Sequence, residues 1–215
     1  MTTLKIELIK KDGTIDVVDN IPGVRINCTG SNNLIRIHEG TTFINCLFSL
    51  SGGMLVSIAP SKFNLVKLNI YGKESEIKIG NNFSCWGVEI RCHEQKTSVS
   101  IGDDCMFSED ILIYPTDVHT VFNQFTGELL NLGEPIIIGN HVWCARNVMF
   151  LKGVVVRNDT VIGAGSIVSR KFNESNIVIA GNPADVIRRG INWARNTPFE
   201  YAHLKKVSLS DEDKK

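Results

Sequence analysis

Residues 136–172 read IIIGNHVWCARNVMFLKGVVVRNDTVIGAGSIVSRKF, and the spacing of their apolar positions decides the architecture. An apolar residue recurs every six positions, at Ile138, Cys144, Phe150, Val156, Ile162 and Val168. A small or β-branched residue follows four places on, at Val142, Val148, Val154, Thr160 and Ser166. A helix face repeats at about 3.6 residues and a half-buried strand at about 2, so neither yields this register. Six-residue units suit a parallel β-helix whose coil has three short sides, each placing one residue inward. An ordinary β-sandwich is the rival, and six consecutive units in register are hard to obtain from alternating strands. Each buried side chain contributes roughly 1.5–3 kcal/mol, and stacked repeats join these into one ladder.

The register continues upstream with more interruptions. Ile101, Phe107 and Ile113 are six apart, with Cys105 and Ile111 four places after the first two. Ile79 and Cys85, with Phe83, and then Ile37 and Phe43, extend it further back. Before about Val24 the pattern is lost, so residues 1–23 are expected to form a strand or cap and 24–180 the β-helix. Between Ile113 and Ile138 the stretch VHTVFNQFTGELLNLGEP (118–135) does not fit the repeat. An insertion of this length in a compact solenoid is usually functional, and TDVH (116–119) stands at its entry. After Arg170 the segment NESNIVIAGNPADVIRRGINWARN (173–196) places Pro183 before Ala184, Val186, Ile187, Ile191 and Trp193. That reads as a short C-terminal helix covering the last coil, within a 181–215 helix-and-tail region. The tail KKVSLSDEDKK is charged and expected to be mobile.

Bulk composition narrows the partners. Lys plus Arg and Asp plus Glu both total 23, so the net charge is zero and no nucleic-acid or membrane surface is indicated. The six cysteines are scattered without a CxxC pair and several fall on inward positions. They read as reduced apolar fillers in a cytoplasmic protein. The opening MTTLKIELIKKDG alternates apolar and charged residues and lacks the apolar run of a signal peptide or membrane span.

The run quoted above, followed by IVIAGNPADVIRR (177–189), resembles the hexapeptide-repeat acyltransferases of left-handed β-helix fold. With TDVH upstream and INWAR (191–195) downstream, it is most similar to the capsular polysaccharide and sialic acid O-acetyltransferases. The specific resemblance covers roughly residues 100 to 195. The left hand of the coil comes from this resemblance alone, because connection statistics favour a right-handed crossover. The resemblance implies an all-β trimer that binds acetyl-CoA between two subunits and uses no metal. It also implies transfer of acetyl to a carbohydrate hydroxyl deprotonated by a loop histidine, here His119. The chemistry agrees: a sugar hydroxyl is a weak nucleophile, and a base near neutral pH is worth about 10² to 10⁴ in rate.

The resemblance assigns further roles residue by residue. Asp117 either orients the His119 ring or points inward or to solvent. Trp143 lies outside the inward positions and, in the family, stands beside the acetyl group or acceptor; packing against the loop is its structural alternative. Similar enzymes read VWIG or VWLG, with the glycine amide placed to stabilise the thioester oxyanion, whereas this chain reads VWCA (142–145). Ala145 retains an N–H for that purpose if the backbone angles allow it. Cys144 is read as core rather than as a nucleophile. Gly163, Ala164, Gly165 and Ser166, with Ala180, Gly181 and Pro183, resemble the segments lining the pantetheine arm. Arg170 and Lys171 suit the CoA phosphates, or are solvated surface charges.

Three rivals remain. A zinc enzyme of the γ-carbonic-anhydrase type shares this coil and needs three histidines, but His38, His93, His119, His141 and His203 show no short ligand spacing. A non-catalytic scaffold explains the repeat but not TDVH beside HVWCARNV. An acetyltransferase for an antibiotic, serine or an amino sugar differs only in the acceptor, for which Arg91, His93 and Tyr114 are candidate contacts.

Overall fold

The structure is a computed structural model describing residues 3–204. Three sheets form the faces of a prism. The first holds Leu4–Ile9, Ile15–Val18, Asn33–His38, Leu55–Ile58, Glu76–Ile79, Ser98–Ile101, Ile136–Ile138 and Val155–Val156. The second holds Thr42–Ile44, Asn64–Val66, Ser84–Cys85, Met106–Phe107, Trp143–Cys144, Val161–Ile162, Ile177–Gly181 and Ala184–Arg189. The third holds Val24–Cys28, Cys46–Leu50, Leu68–Gly72, Val88–Cys92, Ile111–Tyr114, Met149–Leu151 and Ile167–Val168. Strands visit the faces in the order first, second, third, and successive coils pair in parallel. This is a parallel β-helix with three-sided coils.

The core is a set of columns rather than a layer between sheets. Ile37, Ile58, Ile79, Ile101, Ile138 and Val156 lie one above the next on the first face. Leu65, Cys85, Phe107, Cys144, Ile162 and Ile179 do so on the second. Phe48, Ile70, Ile90, Ile113, Phe150 and Val168 complete the third. All are buried, and Phe83, Phe107 and Phe150 meet ring to ring at 5.2 and 6.0 Å. Thr160 and Ser166, at inward positions, are also fully buried, and each hydroxyl donates to a backbone carbonyl, of Arg157 and Gly163 respectively. The hexad period is strict only where the strands are two or three residues long. Upstream strands are longer, so Ile37, Ile58, Ile79 and Ile101 are separated by 21, 21 and 22 positions, against 18 for Ile138 to Val156.

Asn and Asp turn the corners. Asn82, Asp104, His141, Asp159 and Asn176 all have φ between 53° and 58°, at the stacked corner between first and second faces. Short polar side chains tolerate this left-handed region better than most. A side-chain ladder supports the same corner: the N–H groups of Asn81, Asp103 and Asn140 donate to Asp103, Asn140 and Asn158 of the coil above at 2.6, 2.9 and 2.9 Å.

The two ends are closed differently. At the start, Leu4–Ile9 adds in parallel to Asn33–His38, and Ile15–Val18 returns antiparallel beside it. At the far end a hairpin covers the last coil: Ile177–Gly181 pairs with Val161–Ile162, and Ala184–Arg189 folds back antiparallel across a turn with a cis Asn182–Pro183 bond. The stretch from Pro183 to Trp193, expected to be helical, is therefore strand and extended chain. Its β-branched residues find an open sheet edge, whose ladder outweighs the weak helical spacing. The short C-terminal helix lies further on, at 198–204. The charged tail 205–215 lies outside the described residues. Among the described residues no helix is long and apolar enough to cross a membrane.

Candidate active site

The insertion leaves the prism between Ile111–Tyr114 on the third face and Ile136–Ile138 on the first, and its two ends are pinned together. The Glu94 carboxylate, from the coil beneath, accepts from the Thr116 hydroxyl at 2.6 Å and the Gly133 N–H at 3.0 Å. These donors hold the Glu94 carboxyl below its ordinary value. A Cβ on Gly133 would come within 2.6 Å of Thr97 Cγ2 and 3.0 Å of the Pro115 carbonyl, so the neck closes only around glycine. Within the loop, Asn131 donates to Asp117 Oδ2 at 2.9 Å and to the His119 carbonyl at 2.8 Å, and accepts from the Val121 N–H. Lys152, from the coil above, reaches both Asp117 and the Asn131 carbonyl.

His119 is exposed and borders a cleft of about 250 Å³ with His93, Val118, Leu129 and Asn131. Its imidazole makes no hydrogen bond among the described residues, so both ring nitrogens face the cleft or solvent. Val118 immediately before it has φ of 66°, a conformation that costs a β-branched residue energy and that the surrounding clamp enforces. Asp117 does not meet the His119 ring. Its carboxylate is engaged by Lys152 and Asn131, which lower its value, so it acts on the backbone that carries the histidine. His93, across the cleft, is depressed below the ordinary imidazole value by burial and by the Arg91 guanidinium.

The other residues singled out in the sequence lie elsewhere on the prism. Trp143 projects from the second face, 38% exposed, against Trp193 at 6.1 Å. The strap 191–195 is latched beside it: the Trp193 indole stacks on His141 at 4.2 Å and donates to its carbonyl. Arg195 donates to Ser84 Oγ and to the carbonyls of Asn82 and Cys105, spanning successive coils. At the corner after the second face, Ala145, Gly163 and Ala180 form one column of small residues. The Ala145 N–H donates to Ile162 at 3.0 Å and the Gly163 N–H to Ile179 at 2.9 Å. A Cβ on Gly163 would lie 2.8 Å from that of Ala180. Ala164 is exposed at the next corner and Pro183 in the hairpin turn. The Ala145 N–H, considered above as an oxyanion donor, here donates within the coil ladder. The next amide, that of Arg146, has no acceptor among the described residues.

Arg170 and Lys171 sit exposed on the corner between third and first faces. Arg170 pairs with Asp185 of the terminal hairpin and lies over the Phe172 ring at 5.2 Å. Cys144 is buried in the second-face column, where desolvation and then Cys105 push its thiol well above the ordinary value. That is the state of a packing residue, not of a nucleophile. Among the described residues no group of three His, Cys, Asp or Glu side chains is placed to hold a metal ion.

The candidate residues therefore fall in two groups on different sides of the prism. One is His119 on its pinned loop, between third and first faces. The other is Trp143 with its small-residue column, on and beside the second face. Glu94, Asn131 and Lys152, which build the loop, were not singled out in the sequence. Their partners are 10 to 39 positions away, and no local pattern marks them.

No protein-family model matches the chain. The chain is 33% identical over 172 residues to a polysialic acid O-acetyltransferase of Neisseria meningitidis, covering 80% of each protein. It is 33% identical over 128 residues to a polysialic acid O-acetyltransferase of Escherichia coli O1:K1, covering 60% of this chain and 41% of that one. It thus spans less than half of the E. coli relative. The crystal structure of the polysialic acid O-acetyltransferase OatWY superposes with a TM-score of 0.70 at 26% identity, over 95% of this chain and 99% of that one. The three-sided parallel coils and these likenesses agree, and the chain belongs to the hexapeptide-repeat O-acetyltransferases, a family of acyltransferase enzymes.

Proposed function

We propose that the protein transfers acetyl from acetyl-CoA to a hydroxyl of a carbohydrate of the capsular or sialic acid type, with His119 as general base, at a site completed by a neighbouring copy in a trimer. The observation that carries this reading is the division of the site. The loop bearing His119 exposes Val121, Phe122, Phe125, Leu130 and Leu132, with Phe125 87% exposed. An apolar surface of that extent calls for a cover. The face bearing Trp143 has a small-residue track and a cleft with no imidazole or carboxylate among the described residues that line it. A threefold arrangement supplies each with the other.

In the proposed reaction His119 takes the proton of the acceptor hydroxyl as its oxygen attacks the thioester carbonyl. The tetrahedral intermediate then collapses, the C–S bond breaks, and the imidazolium returns the proton to the leaving thiolate, giving an acetyl ester and free CoA. The Ala145–Gly163–Ala180 column, with Ala164 and Pro183, offers room for the pantetheine arm. The Arg146 amide is the better placed oxyanion donor. Lys171, with Arg170 if its pairing to Asp185 yields, supplies positive charge for the phosphates.

The test is acetyl transfer from labelled acetyl-CoA to sialic acid polymer, free sialic acid, a galactoside, an amino sugar, serine and an aminoglycoside. Base-labile label on the sialic acid acceptors is expected. Label confined to amines, or none on any carbohydrate, would overturn the reading.

A further inference from the structure

Trp86 is the most exposed tryptophan of the chain, at 70%, and it has no aromatic or cation contact among the described residues. It is not placed by chance on the surface. Cys85, Phe107 and Cys144 are register partners, so Trp86, Ser108 and Ala145 follow one another in the same column, two coil steps or about 10 Å from end to end. The Trp86 N–H donates to the Ser108 carbonyl and the Ser108 N–H to that of Cys144. Beyond Ala145 the column continues to Gly163 and Ala180, the track assigned above to the donor. Trp86 thus lies on the opposite side of Trp143 from the donor track.

Trp86 and Trp143 border a single cleft of about 650 Å³, with Met106 between them and Ser84, Ser108 and Asn64 alongside. Arg195 also reaches the cleft, but its guanidinium is spent on Ser84 Oγ and the backbone carbonyls of other coils, over the Phe63 ring at 4.0 Å. Recognition there falls to aromatic faces flanked by hydroxyl and amide groups, not to a free charge. That combination fits a sugar, whose C–H face stacks on an indole while its hydroxyls find small polar partners. We infer that Trp86 is an acceptor platform, holding a sugar ring next to the one being acetylated at Trp143. The inference rests on the carbohydrate O-acetyltransferase reading and makes the enzyme selective for oligomers over single sugars.

The experiment compares wild type with Trp86→Ala, Trp86→Phe and Trp86→Leu, using the sialic acid monosaccharide and sialic acid oligomers as acceptors. Trp86→Ala should raise KM for oligomers about three- to tenfold, the range of one aromatic contact, while KM for the monosaccharide and for acetyl-CoA stays unchanged. Trp86→Phe should recover most of the loss and Trp86→Leu little of it. Unchanged oligomer KM in Trp86→Ala would overturn the proposal, as would equal rescue by Leu, which marks a plain apolar contact. An altered acetyl-CoA KM would place Trp86 on the donor side, and an altered sedimentation coefficient would make it a subunit contact; either result overturns it. If wild type itself acetylates no carbohydrate, the parent reading fails and this one with it, an outcome distinct from a silent substitution in an active enzyme.

Discussion

His119 is held by backbone rather than by its ring. Val118 is forced into the left-handed region, and Asn131 ties the His119 carbonyl to the Asp117 carboxylate. A free imidazole on a fixed main chain is what a general base that must meet a separate acceptor requires. His119→Ala is expected to lower turnover by about 10² or more, with KM for acetyl-CoA and the sedimentation coefficient unchanged. His119→Asn keeps some size and hydrogen bonding but cannot take a proton, so it should be as inactive. Near-normal turnover by a folded Asn variant would remove His119 from the mechanism. The sequence marks the histidine as a candidate, because TDVH interrupts a repeat. It did not reveal that Asp117 turns away from the ring, since that depends on Lys152 arriving from the next coil.

The insertion is the element that carries His119 in the proposed reaction, and its closure depends on two carboxylates. Glu94 and Asp117 both have folded values below the ordinary carboxylate range of about 4, so their contribution is complete above that range. It is lost as pH falls through the lowered folded values. Cleavage of the loop around Phe122–Leu129 by an acid-active protease should therefore accelerate below about pH 4, ahead of global unfolding. Glu94→Gln should produce the same accelerated cleavage at neutral pH, because it weakens acceptance from Thr116 and the Gly133 N–H. Equal cleavage of the variant and wild type at pH 7 would contradict the clamp. The insertion was legible as a break in register, whereas its neck was not, because Glu94 lies 39 positions before Gly133. The terminal hairpin was misread for a related reason. IVIAG and ADVIRR are short enough to mimic a helical spacing, and only the exposed edge of Val161–Ile162 decides for strand.

Across the whole molecule the repeat was readable because every coil must put a side chain into each core column. It was clearest from Ile138 to Val168, where coils are 18 residues long, and blurred upstream, where coils of 21 and 22 are not multiples of six. The placement of His119 and Trp143 on different sides of the prism is a property of three dimensions that no residue spacing encodes. It also makes the proposed site open to direct test, because a site shared between copies permits complementation. His119→Ala and Trp143→Ala chains, each inactive alone, should be unfolded together at equal concentration and refolded into mixed trimers, and acetyl transfer measured. A site drawing His119 from one copy and Trp143 from the next predicts recovery of about a quarter of wild-type activity, since about one interface in four then carries both native residues. No recovery, from mixed trimers shown to have formed, would contradict the account.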